Sequence, residues 1–174
     1  MLFRSAYGLP SLDVEALGKS KKYTIVTTAN IPLGRRKELE ERKGAFITLD
    51  EQAIYDAGVR YEDLVGAAEA VVTKPGYGII SECIANDTAI LHTPRGHFPE
   101  YDVLVREMPK YLRQASIDHE ALNAGKWDAH LDKLLAQPKP KAKKPETNGA
   151  EVAAEILLHT LDNPPKRARR PKKR

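Results

Sequence analysis

The chain has 174 residues, 41% of them hydrophobic, enough for one domain of ordinary size and short for two. No apolar run reaches the length of about 18 residues that a bilayer span needs, MLFRSAYGLP lacks the pattern of a secretory signal, and the single Cys83 excludes an intramolecular disulfide or a Cys-rich metal site, which fits a reducing cytoplasm. The net charge of +4 is uneven: PKPKAKKP (138–145) and PPKRARRPKKR (164–174) hold 11 of the 28 basic residues and no acid, leaving 17 basic against 24 acidic residues elsewhere, near −7. A specific nucleic-acid-binding domain is therefore not expected.

In chain order, Met1–Phe3 reads as the end of a first strand, followed by a helix that Ser11 caps and Gly18 stops. YTIVTT (23–28) predicts a strand in which adjacent Ile25 and Val26 imply burial on both faces. IPLGRRKELEERKG (31–44) has no clear apolar stripe and reads as a solvated loop or short exposed helix. AFITLD (45–50) predicts a strand, YEDLVGAAE (61–69) a helix, AVVT (70–73) a central strand and AILHT (89–93) another. DVLVREMPKY predicts a helix ending near Pro109, and two further helices follow over 115–127 and 128–137. NGAEVAAEILLHTL (148–161) predicts a helix with Asn148 and Glu151 as an N-cap pair and an apolar stripe of Val152, Ile156, Leu157 and Leu161.

Short β-branched runs alternating with helical patterns predict an α/β fold: a single Rossmann-like domain over 1–136, with a mainly parallel sheet and helices on both faces. A basic Pro/Lys linker follows at 137–147, then a docking helix at 148–161 and a disordered basic tail at 162–174.

One junction stands out. VVTKPGYGIISECIAND (71–87) takes a strand into a helix through two glycines. The first amides of a helix lack backbone partners and lie at the positive end of its dipole, which suits an anion and above all a phosphate. Gly76 and Gly78 allow close approach to the main chain, and either can take a positive φ. The Ser81 hydroxyl adds a donor, and the Glu82 carboxylate accepts from a vicinal diol such as a ribose. The simpler alternative is a tight turn in which Glu82 favours the helix dipole and Tyr77 packs.

The order TKPGYGIISECIANDTAILHTPRGHFPEYDVLV resembles the donor-binding, carboxy-terminal half of GT-B glycosyltransferases of the MurG-like and UDP-glycosyltransferase-like group, and is also similar to the amino-terminal portion of some sugar kinases. The resemblance implies that Gly76, Tyr77 and Gly78 hold the diphosphate of a nucleotide sugar, with uracil the favoured base. It implies that Glu82 binds the ribose, that Arg95, His97, Glu100 and Tyr101 lie near the sugar, and that the backbone of 58–61 meets the base. RSAYG offers Ala6 and only Gly8 where many members carry a glycine pair, and α-helical residues after Glu82 end at Asn86-Asp87 instead of Gly. The preceding acceptor domain, which usually holds the catalytic base, has no counterpart in these residues. The expectation is thus a donor-binding half that needs a separate acceptor domain or partner chain, with no catalytic residue of its own, no cofactor and no metal. The alternative is a non-catalytic interaction protein that keeps the fold without the ligand.

Overall fold

The structure is a computed structural model and describes residues 2–3, 20, 22–28 and 46–164. The expected helix between Ser11 and Gly18, the segment 31–44, the Ala6–Gly8 stretch and the tail from residue 165 lie outside the described residues. Six strands form one sheet: β1 (Leu2–Phe3), β2 (Ile25–Thr27), β3 (Phe46–Thr48), β4 (Ala70–Thr73), β5 (Ala89–His92) and β6 (Gln114–Ser116). Their order is β3-β2-β1-β4-β5-β6, and every pairing is parallel. Leu2 stands opposite Val26 on one side and Val71 on the other, and Thr73 stands opposite His92. The chain runs outward from β1 to β3 and returns to β4 beside β1. Between those two strands the direction of winding reverses, which is where doubly wound folds open a crevice at the carboxyl edge.

All four residues of β4 and all four of β5 are buried, as expected for apolar strands covered on both faces. Alternation divides their side chains between two cores. Val71 and Ile90 pack with Val65, Ile79, Ile80, Cys83, Met108 and Leu112. These come from α2 (Tyr61–Ala67), α3 (Tyr77–Asn86), the 3-10 turn Met108–Lys110 that follows α4 (Tyr101–Glu107), and Leu112 two residues beyond that turn. Val72 and Leu91 pack on the other face with Leu122, Trp127, Leu131 and Leu134, from α5 (His119–Asn123), α6 (Asp128–Leu135) and the turn between them. Trp127 is 1% exposed, and its indole N–H donates to the Leu122 carbonyl at 2.8 Å, so the ring is buried without an orphaned donor.

Local chemistry places the helix ends. The carboxylates of Asp50 and Asp118 accept from the amides of Ala53 (3.0 Å) and Ala121 (2.7 Å), capping α1 (Glu51–Asp56) and α5. Asp87 ends α3 in the left-handed region at φ 59°, with Thr88 N–H donating to Cys83 O at 3.0 Å and Asp87 N–H to Ile84 O at 3.4 Å. That pair of bonds is a Schellman ending carried by Asp in place of Gly. The amino end of β2 is tied to α6: Ser20 Oγ donates to Asp128 at 2.8 Å, Lys22 pairs with Asp132 at 2.5 Å, and the Tyr23 hydroxyl donates to Asp132. Burial first, then the Asp132 carboxylate, pushes the Tyr23 hydroxyl up to about 12.

Three sequence expectations need correction. Residues 115–127 are not one helix: β6 takes Gln114–Ser116, and a helix starts only at His119, because Asp118 caps there and Ala115 and Ile117 complete the sheet and its core. Glu51–Asp56 forms a helix where none was expected. Asn148 stands at the N-cap of α7 (Gly149–Asp162), but its side chain makes no capping bond, having φ −91° and ψ 26° instead of extended backbone. The chain divides into two compact units, 1–144 and 145–174, and α7 belongs to the second.

Candidate functional site

α3 enters from β4 through Lys74-Pro75-Gly76, at the carboxyl edge of the sheet next to the reversal point. Gly76 is its N-cap, with φ −153° and ψ 159°. Neither Gly76 nor Gly78 uses the left-handed region; among the described residues Gly58, Gly96 and Gly125 do. Gly76 instead stands close to Arg95: a Cβ there would lie 3.2 Å from its Nη1, a tight contact with the end of a flexible side chain. At Gly78 it would stand 3.9 Å from Glu82 Oε1, an ordinary contact. The α3 first turn carries no side-chain cap and no acidic residue. Ile80 N–H is the first to join the helical ladder, donating to Gly76 O at 3.1 Å, so the amides of Tyr77, Gly78 and Ile79 precede it.

Arg95 reaches this turn from the loop after β5. Its Nη1 donates to the Pro75 carbonyl at 3.0 Å, and its guanidinium lies 3.9 Å over the Phe98 ring. The loop is folded locally: Gly96 takes φ 71°, Phe98 N–H donates to Gly96 O at 2.9 Å, and Tyr101 N–H donates to Phe98 O at 2.9 Å. A guanidinium at the positive end of a helix is electrostatically uncomfortable alone. A phosphate or carboxylate at the same place satisfies both.

The other expected residues are distributed as follows. Tyr77 is 61% exposed, so its ring is not a packing residue. Ser81 Oγ donates to Gly78 O at 2.7 Å, turned back into the helix. Glu82 is half-buried, its carboxylate lying along the helix toward Gly78. His97 and Glu100 are exposed in the Arg95 loop. Tyr101 opens α4 half-buried, and burial followed by the neighbouring Asp102 raises its hydroxyl above the usual range. Residues 58–61 form the turn from α1 into α2, with the Arg60 amide donating to Asp63 at 2.8 Å. The structure thus brings Gly76 and Arg95 together directly, and Gly78 with Glu82.

Sequence reasoning missed His92 and Thr93 at the end of β5. Both are 1% exposed, and neither His92 Nδ1 nor Thr93 Oγ1 has a hydrogen-bond partner. His92 shares the Ile90 side of the strand, the face covered by α3, with Nε2 2.8 Å from Gln114 Oε1 and the Tyr101 ring edge-on at 6.4 Å. Burial holds the imidazole below its ordinary value, outweighing the opposing hydrogen bond to Gln114. The available signal was a polar pair, His-Thr, ending an otherwise apolar strand. Phe98, the platform under Arg95, was likewise missed. Among the described residues no group of three or more His, Cys, Asp or Glu is placed to hold a metal ion.

No protein-family model matches the chain, and no solved structure matches it either. A curated protein described as L-arabinokinase, from Arabidopsis thaliana, is 28% identical over 98 residues. That stretch is 56% of this chain and 9% of the relative's own length. The likeness is to a small part of a sugar-handling enzyme and goes no finer.

Proposed function

We propose that the chain is a nucleotide-sugar-binding domain, the donor-binding half of a glycosyltransferase that takes UDP-type donors and works with a separate acceptor domain. The observation that carries this reading is the uncapped start of α3 at the carboxyl edge of the sheet, with the Arg95 guanidinium 3.2 Å from the space above Gly76. The parallel order with its reversal between β1 and β4 supports it, since nucleotides bind at that edge of doubly wound sheets. The partial likeness to a sugar kinase supports a sugar-related ligand.

In this reading the amides of Tyr77, Gly78 and Ile79 hold the diphosphate, and Arg95 exchanges its bond to the Pro75 carbonyl for a phosphate oxygen. Their donors stabilise the charge that develops on the leaving diphosphate. Glu82 accepts from the ribose hydroxyls, while Tyr77, His97, Glu100 and Tyr101 border the sugar. The catalytic base belongs to the acceptor domain.

Isothermal titration with UDP and UDP-sugars tests the reading. Binding in the millimolar range or tighter is expected, with Gly76→Val abolishing it because the added side chain fills the approach. Absence of heat and of thermal stabilisation at millimolar ligand rejects it. One observation favours the second reading, a non-catalytic interaction protein: Arg95 already bonds to Pro75 O and closes over Gly76. That reading gives indifference to nucleotides together with a stable protein partner.

A further inference from the structure

α7 supports an inference independent of the donor site. Every residue of this helix is exposed, including Val152, Ile156 at 60%, Leu157 at 65%, Leu158 at 62% and Leu161 at 76%. Its polar and apolar residues are sorted around the axis. At about 100° per residue, Glu151, Glu155 and Asp162 fall within a stripe about 40° wide. Leu158 borders that stripe on one side and His159 on the other. The remaining arc, about 240° wide, holds alanines, the apolar residues above and Thr160. Thr160 adds little polarity there, because its hydroxyl donates to the Ile156 carbonyl at 2.7 Å.

Basic segments stand on both sides of the helix, with Glu146 the one acid between the first of them and α7. PKPKAKKP precedes it and PPKRARRPKKR follows, together carrying 11 basic residues and no acid. We propose that α7 lies flat on an anionic lipid surface, with its apolar arc in the headgroup boundary and the basic flanks against the headgroups. An anionic plane meets both flanks at once and leaves the acidic stripe facing water. The helix is about 21 Å long, and no described helix is long and apolar enough to cross a membrane, so it lies in the interface. Apolar burial and polybasic attraction are the two signals that stable peripheral binding requires.

The test is co-sedimentation of the full chain with phosphatidylcholine vesicles and with vesicles containing about one-quarter phosphatidylserine. Binding to the anionic vesicles alone is expected, weakened at least about tenfold by L157Q/L161Q and by deletion of 165–174. The fluorescence of Trp127 and the thermal unfolding of these variants, unchanged from the parent, show that the substitutions leave the sheet unit folded. Equal binding to neutral vesicles, or none to either, overturns the proposal. Undiminished binding by L157Q/L161Q also overturns it and makes the tail a general polyanion ligand, with equal retention on heparin. A dimer in solution that the same leucine substitutions dissociate assigns the face to a second copy instead. Titration with UDP is expected to be the same for all variants, which separates this outcome from that of the donor site.

Discussion

Arg95 and His92 carry the argument at the level of single side chains. Arg95 is held by a carbonyl and an aromatic face, both of which release it without leaving a buried charge, since it is exposed. Arg95→Ala is expected to weaken UDP binding about tenfold or more, the range of a charge-assisted hydrogen bond, and to leave the melting temperature nearly unchanged. Calorimetric titration and thermal unfolding of the same sample check both. His92 gives a pH signature. Its folded value lies below the ordinary 6.5 because burial disfavours the imidazolium. The unfolded chain therefore binds the proton more readily, and stability falls as pH drops from about 6.5 through the lowered folded value. Above 6.5 the contribution is fully present. Denaturant unfolding across pH 5 to 8 is expected to show this slope in the parent and a flatter one in His92→Gln.

The elements show what a linear reading catches and what it misses. AVVT and AILH declare themselves because buried parallel strands are continuous apolar runs, and both are observed as strands. The end of α3 was also legible, since Asp tolerates the left-handed backbone that it adopts at φ 59°. β6 was hidden, because QAS has no strand propensity and is held in place by pairing with Ile90–His92. α1 was hidden because its six residues bury only Ile54. At the site, Gly76 and Gly78 marked the turn, but the Arg95 guanidinium that closes on Gly76 comes from 19 positions further on. That is a tertiary contact and has no local signature. α5, five residues long, depends on its cap: Asp118→Ala is expected to destabilise the protein by about 1 kcal/mol, and Asp118→Asn by less. Urea unfolding of the two variants measures the difference.

The described part of the unit 1–144 is a doubly wound sheet whose two faces are separately filled. The Trp127 face buries its largest residues completely and provides stability. The opposite face carries α3, α4 and the buried His92 edge, and it is the face on which we propose that the ligand binds. Leu134→Ala, in the first core, is expected to cost about 2–5 kcal/mol by cavity formation, with UDP affinity unchanged in the fraction that remains folded. Chemical denaturation and titration of that variant test the division. The central claim, that the start of α3 receives a phosphate group, is tested most directly by nitrogen-15 amide spectra during UDP titration. The account predicts that the largest shifts belong to Gly76, Tyr77, Gly78 and Ile79, and that they vanish in Gly76→Val. Shifts confined to other parts of the sheet edge, or none at saturating UDP, would contradict it.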